Sequence, residues 1–277
     1  MGGFPEPSRS RVVEGVGLHT GSRARVTLLS RPGPVRLSVG GVDGRIGDLS
    51  IVGTERATTV QLGHGGARVA TVEHLFAALG GLSIHEGVTV CVEGAELPLL
   101  DGGAAAWCDH LRSLGLRPSG PRLRVARGGA VHVSESRYEF AVGEGFDVQV
   151  RFETADARVA PEARWLGDPA DFRSRIAPAR TFAFLADVER LTAAGLARGA
   201  DPAAVVVILP DTIHCVAPYS SDEPARHKLL DLVGDSYLFG GPPRGRMRVL
   251  RPGHTANAHA LRRALAGGIL ASDERSG

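Results

Sequence analysis

The pattern of apolar and polar positions along the chain predicts short strands that alternate with helices. The strand candidates are brief, β-branched or alternating in polarity, and bounded by Gly, Pro or Asp; they cover residues 25–29, 35–39, 88–92, 122–125, 146–152 and 205–208. The helix candidates repeat apolar residues three, four and seven positions apart; they cover residues 71–79, 104–114, 184–191, 223–238 and 257–266. The chain therefore mixes both kinds of element throughout its length.

Turn and capping residues mark the ends of these elements. Thr71 is a good N-cap for the first helix, and the pair Gly80-Gly81 is a strong stop after it. Residues 116–121 contain two prolines and a glycine without periodicity, which predicts a linker. We expect this linker to separate an N-terminal domain, residues 1–119, from a C-terminal domain, residues 120–277.

The two predicted domains are similar in kind. Each contains strands and at least two helices, and each has a histidine near the start of an apolar helix, His74 in the first and His227 in the second. This similarity hints at an ancient duplication, although no short repeat period supports it.

Composition narrows the class of protein. The 277 residues are 43% hydrophobic and 22% charged, as in ordinary globular proteins. A net charge of +2 without a basic stripe argues against a nucleic-acid partner. The three cysteines are far apart and odd in number, which fits a reducing compartment. No apolar run reaches the length of a signal-peptide core or a membrane span, so we expect a soluble, monomeric, cytoplasmic protein without a transmembrane segment.

The fourth predicted helix carries a candidate metal-binding pair. His227 and Asp231 are four residues apart, so their side chains project from the same face, and Asp235 continues the row. An imidazole and a carboxylate in this register make half of a zinc site. Spacing alone favours a plainer interpretation, a polar stripe on an amphipathic helix. The helix also carries the apolar residues Leu229, Leu230, Leu232, Val233 and Leu238. These indicate deep packing, where a charged row should face a cleft or a metal because unpaired buried charges are costly.

Three further residues have chemistry that complements this pair. Glu73 precedes His74, and metal-assisted hydrolysis needs both a ligand and a group that takes a proton from water; a surface pair is the alternative. His254 follows Gly253 in a turn before the last helix, where it either faces a site or caps the helix. Thr181 offers a hydroxyl to a polarised carbonyl or acts as an N-cap, and taken alone it favours the cap.

Other motifs lack a necessary residue. His85-Glu86 begins like the protease motif H-E-x-x-H, but Thr89 stands where the second histidine is required. Residues 15–21 begin like a dinucleotide-binding loop, but Thr20 replaces its third glycine. The histidines without a partner at informative spacing are His64, His110, His132, His214 and His259.

Taken together and in order, several motifs resemble one family over residues 12–266. They read GVGLHTG at 15–21, ATVEHLFAAL at 70–79, ELPLLDGGA at 96–104, ARTFAFLAD at 179–187, DEPARHKLLD at 222–231, GD at 234–235 and GH at 253–254. The sequence thereby resembles the zinc-dependent UDP-3-O-acyl-N-acetylglucosamine deacetylases of lipid A biosynthesis. The resemblance implies an α+β fold of two similar domains, each a β-sheet layer packed on helices, with the helices sandwiched between the two sheets.

The resemblance also implies roles for matching positions. The implied metal ligands are His74, His227 and Asp231, holding zinc, although a site of two histidines and an aspartate also accepts Fe²⁺. The implied catalytic residues are Glu73 as general base, His254 as general acid, Asp235 as the residue that orients His254, and Thr181 near the oxyanion. The implied substrate-binding residues are Lys228, Phe182 and Asp187, and the implied partner is an acylated UDP-amino-sugar.

Some segments depart from the family pattern. Residues 35–59 are short and lack an expected Arg-Thr-Asp motif, residues 153–159 lack a His-Pro pair, and residues 81–86 replace an Ile-Asp-Asn motif. The chemistry is therefore better supported than the substrate. Alternatives are a paralogous zinc deacetylase acting on another acetamido sugar, and a catalytically silent protein that binds a sugar nucleotide or an acyl chain. The apolar residues 196–216 either line an acyl-chain passage or form a plain core strand.

Overall fold

A computed structural model describes residues 9–63, 65–120 and 122–273. His64 and Pro121, the last residue of the predicted linker, lie outside this range. The N-terminal part contains, in order, β1 (Ser10–Val16), β2 (Arg23–Pro34), β3 (Arg36–Val39), β4 (Val42–Arg45), a 3₁₀ turn (Ile46–Asp48), β5 (Ser50–Gly53), β6 (Thr59–Gln61), β7 (Arg68–Val69), α1 (Glu73–Gly81), β8 (Glu86–Glu93) and α2 (Ala105–Arg112).

The C-terminal part begins with a short strand and ends with its partner. It contains β9 (Leu123–Val125), β10 (Gly129–Val133), β11 (Ser136–Ala141), β12 (Phe146–Arg151), β13 (Glu162–Trp165), α3 (Pro169–Asp171), a π-helical turn (Phe172–Ile176), β14 (Thr181–Phe184), α4 (Leu185–Ala193), β15 (Val205–Ile208), β16 (Ile213–His214), α5 (Glu223–Tyr237), β17 (Gly245–Leu250), α6 (His254–Ala266) and β18 (Leu270–Ser272).

The two parts repeat one topology. One five-stranded sheet has the order β1-β2-β8-β3-β4 and the other has β10-β11-β17-β12-β13. In each sheet the pairings are antiparallel except for one parallel pair, β3 with β8 and β12 with β17. The last strand of each sheet is preceded by one helix, α1 or α5, and followed by another, α2 or α6. The duplication that the paired histidines suggest is thus matched strand by strand.

Each repeat carries a small extra sheet at the same place, between its fourth strand and its buried helix. The first is β5-β6-β7 and the second is β14-β15-β16. The second extra sheet contains the valine-rich strand of the apolar segment 196–216. These two insertions differ in sequence and pairing, so they are where the two repeats diverge.

The helices form the middle layer of the molecule. Every residue of α1 is buried, and α5 is buried on nearly all sides, because α1 packs on α5 while sheets cover both. One continuous apolar core joins both sheets and the helices between them. The predicted α+β fold with helices sandwiched between two sheets is confirmed. Within the residues that the structure describes, no helix is both long and apolar enough to cross a membrane.

All five predicted helices are present, but three details of their ends are wrong. Thr71 does not cap α1: its φ of 59° is left-handed, and Val72 occupies the N-cap instead. His254 does not precede the last helix but is its first residue, three positions before the predicted start. Thr181 is not an N-cap either, since it lies in β14.

Candidate metal centre and active site

The first turns of α1 and α5 bring three predicted ligands together. Potential ligand atoms of His74, His227 and Asp231 lie within 4.8 Å of one another, and all three residues are buried. The Oδ1 atom of Asp231 is 3.5 Å from His227 Nε2 and 4.0 Å from His74 Nε2. This is the spacing of groups that converge on a single point, and the cluster could hold a metal ion.

The hydrogen bonds of the three residues fit a bound cation. His227 Nδ1 donates to the carbonyl oxygen of Ala179 at 3.0 Å, which leaves its Nε2 lone pair facing Asp231. The Oδ1 atom of Asp231 is buried without a hydrogen-bond partner among the described residues. A buried carboxylate oxygen left without any partner is costly, and a metal ion would satisfy it. The donor set is therefore suited to a divalent cation.

Protonation supports the same conclusion. Burial lowers the pKa of His74 to about 3, and burial also lowers the pKa of His227. Both imidazoles are therefore neutral near pH 7, the form that binds metals. Burial alone would raise the pKa of Asp231, but the nearby charges, first that of Lys228, outweigh burial and lower it. The third group is thus an anionic carboxylate.

Glu73 lies beside this cluster at the start of α1. Its side chain is 3% exposed, and its Oε2 accepts a hydrogen bond from the backbone N–H of Thr58 at 3.0 Å. Burial is the main cause that raises its pKa to about 7. A carboxyl group with a pKa near neutrality is suited to exchange protons with a reactant.

His254 faces Glu73 across the site and is held by Asp235. Its Nδ1 donates to Asp235 Oδ2 at 2.9 Å, and its Nε2 is 3.9 Å from Glu73 Oε1. Burial would lower the pKa of His254, but Asp235 and then Asp231 outweigh burial and raise it to about 10. This histidine therefore carries a positive charge and an N–H that points into the site.

The remaining predicted residues stand on the second extra sheet and on α5. Lys228 Nζ donates to Asp231 Oδ2 at 2.9 Å and lies 5.5 Å from the centre of the Phe182 ring. The Phe182 ring also packs edge-on to His227, with centroids 6.1 Å apart. Asp187 lies in the first turn of α4, where its carboxylate forms an ion pair with Arg190.

A cavity of about 380 Å³ joins these groups. Its lining includes every predicted site residue except one: Glu73, His74, Thr181, Phe182, Asp187, His227, Lys228, Asp231 and His254. Asp235 is the exception, because it lies behind His254 and contacts the cavity through it. Val205 and Val207 of β15 also line the cavity, whereas Val206 and Ile208 face a separate apolar cluster. The apolar segment is thus both a core strand and a cavity wall.

Sequence reasoning missed several residues that support the site. Thr58 and Asn257 both hydrogen-bond to Asp235, and Tyr138 donates to Asn257 Oδ1 at 2.6 Å. Glu96 accepts hydrogen bonds from the loop that contains His19 and from Thr71. Asn257 is three positions after His254, a helical spacing that could have indicated a shared face. Nothing local in the sequence indicates the contacts of Thr58 or Tyr138.

Comparison with known proteins identifies the family. A family model described as UDP-3-O-acyl N-acetylglycosamine deacetylase matches residues 8–266. Proteins named UDP-3-O-acyl-N-acetylglucosamine deacetylase are similar over most of their length. The one from Anaeromyxobacter dehalogenans is 35% identical over 91% of this chain and 84% of its own, and the one from Phenylobacterium zucineum 37% over 91% and 89%. The one from Myxococcus xanthus is 35% identical over 93% and 85%.

The chain belongs to the UDP-3-O-acyl N-acetylglycosamine deacetylase family. The resemblance carried by the ordered motifs is therefore confirmed. The departures in residues 35–59, 81–86 and 153–159 lie within the matched range and do not remove the chain from the family.

Proposed function

We propose that this chain hydrolyses the acetamide bond of a UDP-3-O-acyl-N-acetylglucosamine in lipid A biosynthesis. One observation carries the proposal: a buried carboxylate oxygen of Asp231 without a partner faces two neutral imidazoles, with Glu73 and His254 on either side of the cavity. A protein that only bound a sugar nucleotide would have no need of a base and an acid in one pocket. The family to which the chain belongs and the names of its relatives support the reaction.

Zinc is the proposed metal, held by His74, His227 and Asp231. Two imidazole nitrogens and one carboxylate are a common catalytic zinc set, which leaves coordination positions open. When bound, zinc supplies Lewis acidity, which lowers the pKa of a water molecule toward neutrality and polarises the amide carbonyl. Fe²⁺ suits the same donors, so metal supply decides between the two ions.

Glu73 is the proposed general base. Its pKa of about 7 matches the task of accepting a proton from the attacking water near neutral pH. The backbone N–H of Thr58 holds Oε2, which leaves Oε1 directed toward His254 and the cavity.

His254 is the proposed general acid. Its charged ring presents Nε2–H to the cavity, where it stabilises negative charge on the tetrahedral intermediate and then donates its proton to the departing amine. Asp235 orients the ring through Nδ1. Thr181 is proposed to donate its hydroxyl to the developing oxyanion, since it lines the cavity from the opposite wall.

The substrate assignment is the finer part of the proposal. Lys228 provides a cation, while Phe182 and Asp187 line the wall where the sugar nucleotide would bind. The apolar lining contains Leu18, Val188, Leu191, Val205 and Val207. This lining suits an acyl chain, because apolar side chains gain free energy when they exclude water from hydrocarbon.

Three accompanying assignments have the same standing. We propose a division into domains at residues 119 and 120, since the described residues 116–120 form no helix or strand between the two repeats. A cytoplasmic location is supported by three free cysteines. A monomer is supported by the position of the site, which is built entirely from one chain.

The test is an acetate-release assay on purified protein with acylated and unacylated UDP-N-acetylglucosamine, each with and without a chelator. We expect release from the acylated compound only, lost on chelation and restored by Zn²⁺. Equal release from both compounds would instead support a paralogous deacetylase of another acetamido sugar. Binding without any release would support a silent binding protein.

A further inference from the structure

The loop between β5 and β6, residues 54–58, links the two repeats beside the site. At one end Thr54 contacts Thr255 of α6, with their hydroxyl oxygens 2.9 Å apart. At the other end the hydroxyl of Thr58 donates to Asp235 Oδ1 at 2.6 Å. A loop from the first insertion thus holds both α5 and α6 of the other repeat.

Thr58 makes three bonds around the reacting groups. Its N–H donates to Glu73 Oε2 at 3.0 Å, and its carbonyl oxygen accepts from the N–H of Val72 at 3.3 Å. Its hydroxyl donates to Asp235, so one residue that is 2% exposed bridges two buried carboxylates. These carboxylates belong to the proposed base and to the residue that orients the proposed acid.

The hydroxyl of Thr58 completes the set of partners around Asp235. Oδ2 of Asp235 accepts from His254 Nδ1 at 2.9 Å and from Asn257 Nδ2 at 2.8 Å, while Thr58 supplies the bond to Oδ1. Two bonds to one oxygen leave the carboxylate free to swing about its Cβ–Cγ bond. The third bond, on the other oxygen, fixes that rotation and with it the plane of the His254 ring.

We propose that Thr58 is a positioning residue that holds Asp235 and Glu73 at a fixed separation and so aligns His254 with the base. This inference rests on the function proposed above. Thr58 does not line the cavity, so its loss should not weaken substrate binding. Misplacing His254 should slow the chemical step, and a small displacement in a catalytic group costs about 10-fold or more in rate.

The test compares Thr58→Val, which has the same shape without the hydroxyl, with Thr58→Ser, which keeps it. Thr59→Val is the matched control, since this neighbour makes the same change outside the network. We expect Thr58→Val to lower kcat about 10-fold with KM within about 2-fold and zinc content unchanged. Thr58→Ser should restore most of kcat, and Thr59→Val should match the unaltered chain.

Thr58→Ala removes the same hydroxyl without placing a methyl against the carboxylate, and it should reproduce the loss if Thr58→Val folds poorly. Unchanged kcat in both variants would overturn the proposal, as would a Thr58→Ser that is no better than Thr58→Val. A loss of zinc, or a rise in KM that accounts for the whole defect, would also overturn it.

A readout independent of turnover separates this inference from the proposed function. In protein with ¹⁵N-labelled histidine, the ring signal of His254 is assigned by its absence in His254→Gln. We expect this signal to shift in Thr58→Val and to return in Thr58→Ser; an unshifted signal overturns the positioning role. Absence of acetate release from the unaltered chain would overturn the proposed function, while the shift would still support Thr58 as the residue that holds Asp235 and His254.

Discussion

Gly234 of α5 lies directly against the backbone of Glu73 in α1. A methyl group placed on Gly234 would lie 2.1 Å from the carbonyl oxygen of Glu73 and 3.1 Å from the amide nitrogen of Ala77. The absence of a side chain at this position lets the two buried helices approach closely. That approach carries Glu73 and His74 to the turn of α5 that presents Asp231.

Gly234→Ala tests this approach. Alanine normally stabilises a helix by about 0.5–1 kcal/mol relative to glycine, but here it must push α1 away from α5. We expect a net loss of about 1–3 kcal/mol in the free energy of unfolding, together with weaker zinc binding. Urea unfolding and elemental analysis measure both quantities. A variant as stable as the unaltered chain with full zinc content would show that the helices tolerate a wider separation.

The proposed roles at the start of α1 predict opposite effects for adjacent residues. Glu73→Gln keeps the shape of the side chain but removes the base, so kcat should fall about 100-fold or more with zinc still bound. His74→Ala should instead lose the metal, because it removes one of three ligands. Elemental analysis and acetate release separate the two cases, with exposed His132→Ala as the control. Near-native activity in Glu73→Gln would refute its assignment.

The loop before β2 should depend on a glycine for the same steric reason. A methyl group on Gly17 would lie 2.4 Å from Glu96 Oε2, an atom that two hydrogen bonds from Thr20 hold in place. We expect Gly17→Ala to lower the free energy of unfolding by about 1–3 kcal/mol. Gly47→Ala is the control, since a methyl group there would meet no atom within 4 Å. Equal thermal stability of the two variants would contradict the prediction.

His85 predicts a component of the pH dependence of stability. Burial, aided by Arg122, lowers its pKa from 6.5 to about 4, and its ring stacks on Tyr237 with centroids 5.2 Å apart. The unfolded chain therefore binds a proton that the folded protein does not. This contribution is complete above pH 6.5 and is lost as the pH falls toward 4, at up to about 1.4 kcal/mol per pH unit.

The measurement compares the free energy of unfolding of metal-free protein at several pH values between 6.5 and 4.5. In His85→Gln we expect a shallower decrease than in the unaltered chain, while His132→Gln should leave the decrease unchanged. The same slope in His85→Gln as in the unaltered chain would mean that His85 takes up its proton without cost to the fold.

Val207 tests the proposed acyl-binding wall. Its side chain lines the cavity from β15, so Val207→Gln places a polar amide where hydrocarbon is proposed to bind. We expect kcat/KM for the acylated substrate to fall about 10-fold or more. Exposed Val52→Gln is the control for the substitution itself. If kcat/KM is unaffected in Val207→Gln, the acyl chain binds elsewhere.

Local patterns in the sequence account for part of the fold. The helical periodicity predicts all five helices, and the valine run predicts β15 at the residues where it lies. Strands β11 and β17 were missed, although alternate residues such as Tyr138, Phe140, Met247 and Val249 point into the core. Their charged partners on the solvent face made the segments resemble surface loops. Alternation was therefore the better guide than mean polarity.

The site was less accessible to local patterns. Spacing brings together His227, Asp231 and Asp235, because they share one face of a single helix. It does not join His74 to them, since that contact depends on how two distant helices pack. The ordered family motifs indicated the whole set, but not Thr58, whose bonds to Glu73 and Asp235 exist only once the two repeats are docked.

The equivalence of α1 and α5 has an evolutionary consequence. Both helices precede the last strand of their sheets, and they meet each other at the centre of the molecule. Dimerisation of a single ancestral unit would bring two copies of such a helix face to face. Fusion of the two genes then releases each copy from identity with the other. One copy retains the Glu-His pair and the other the His-Asp pair, an asymmetry that a symmetric dimer cannot achieve.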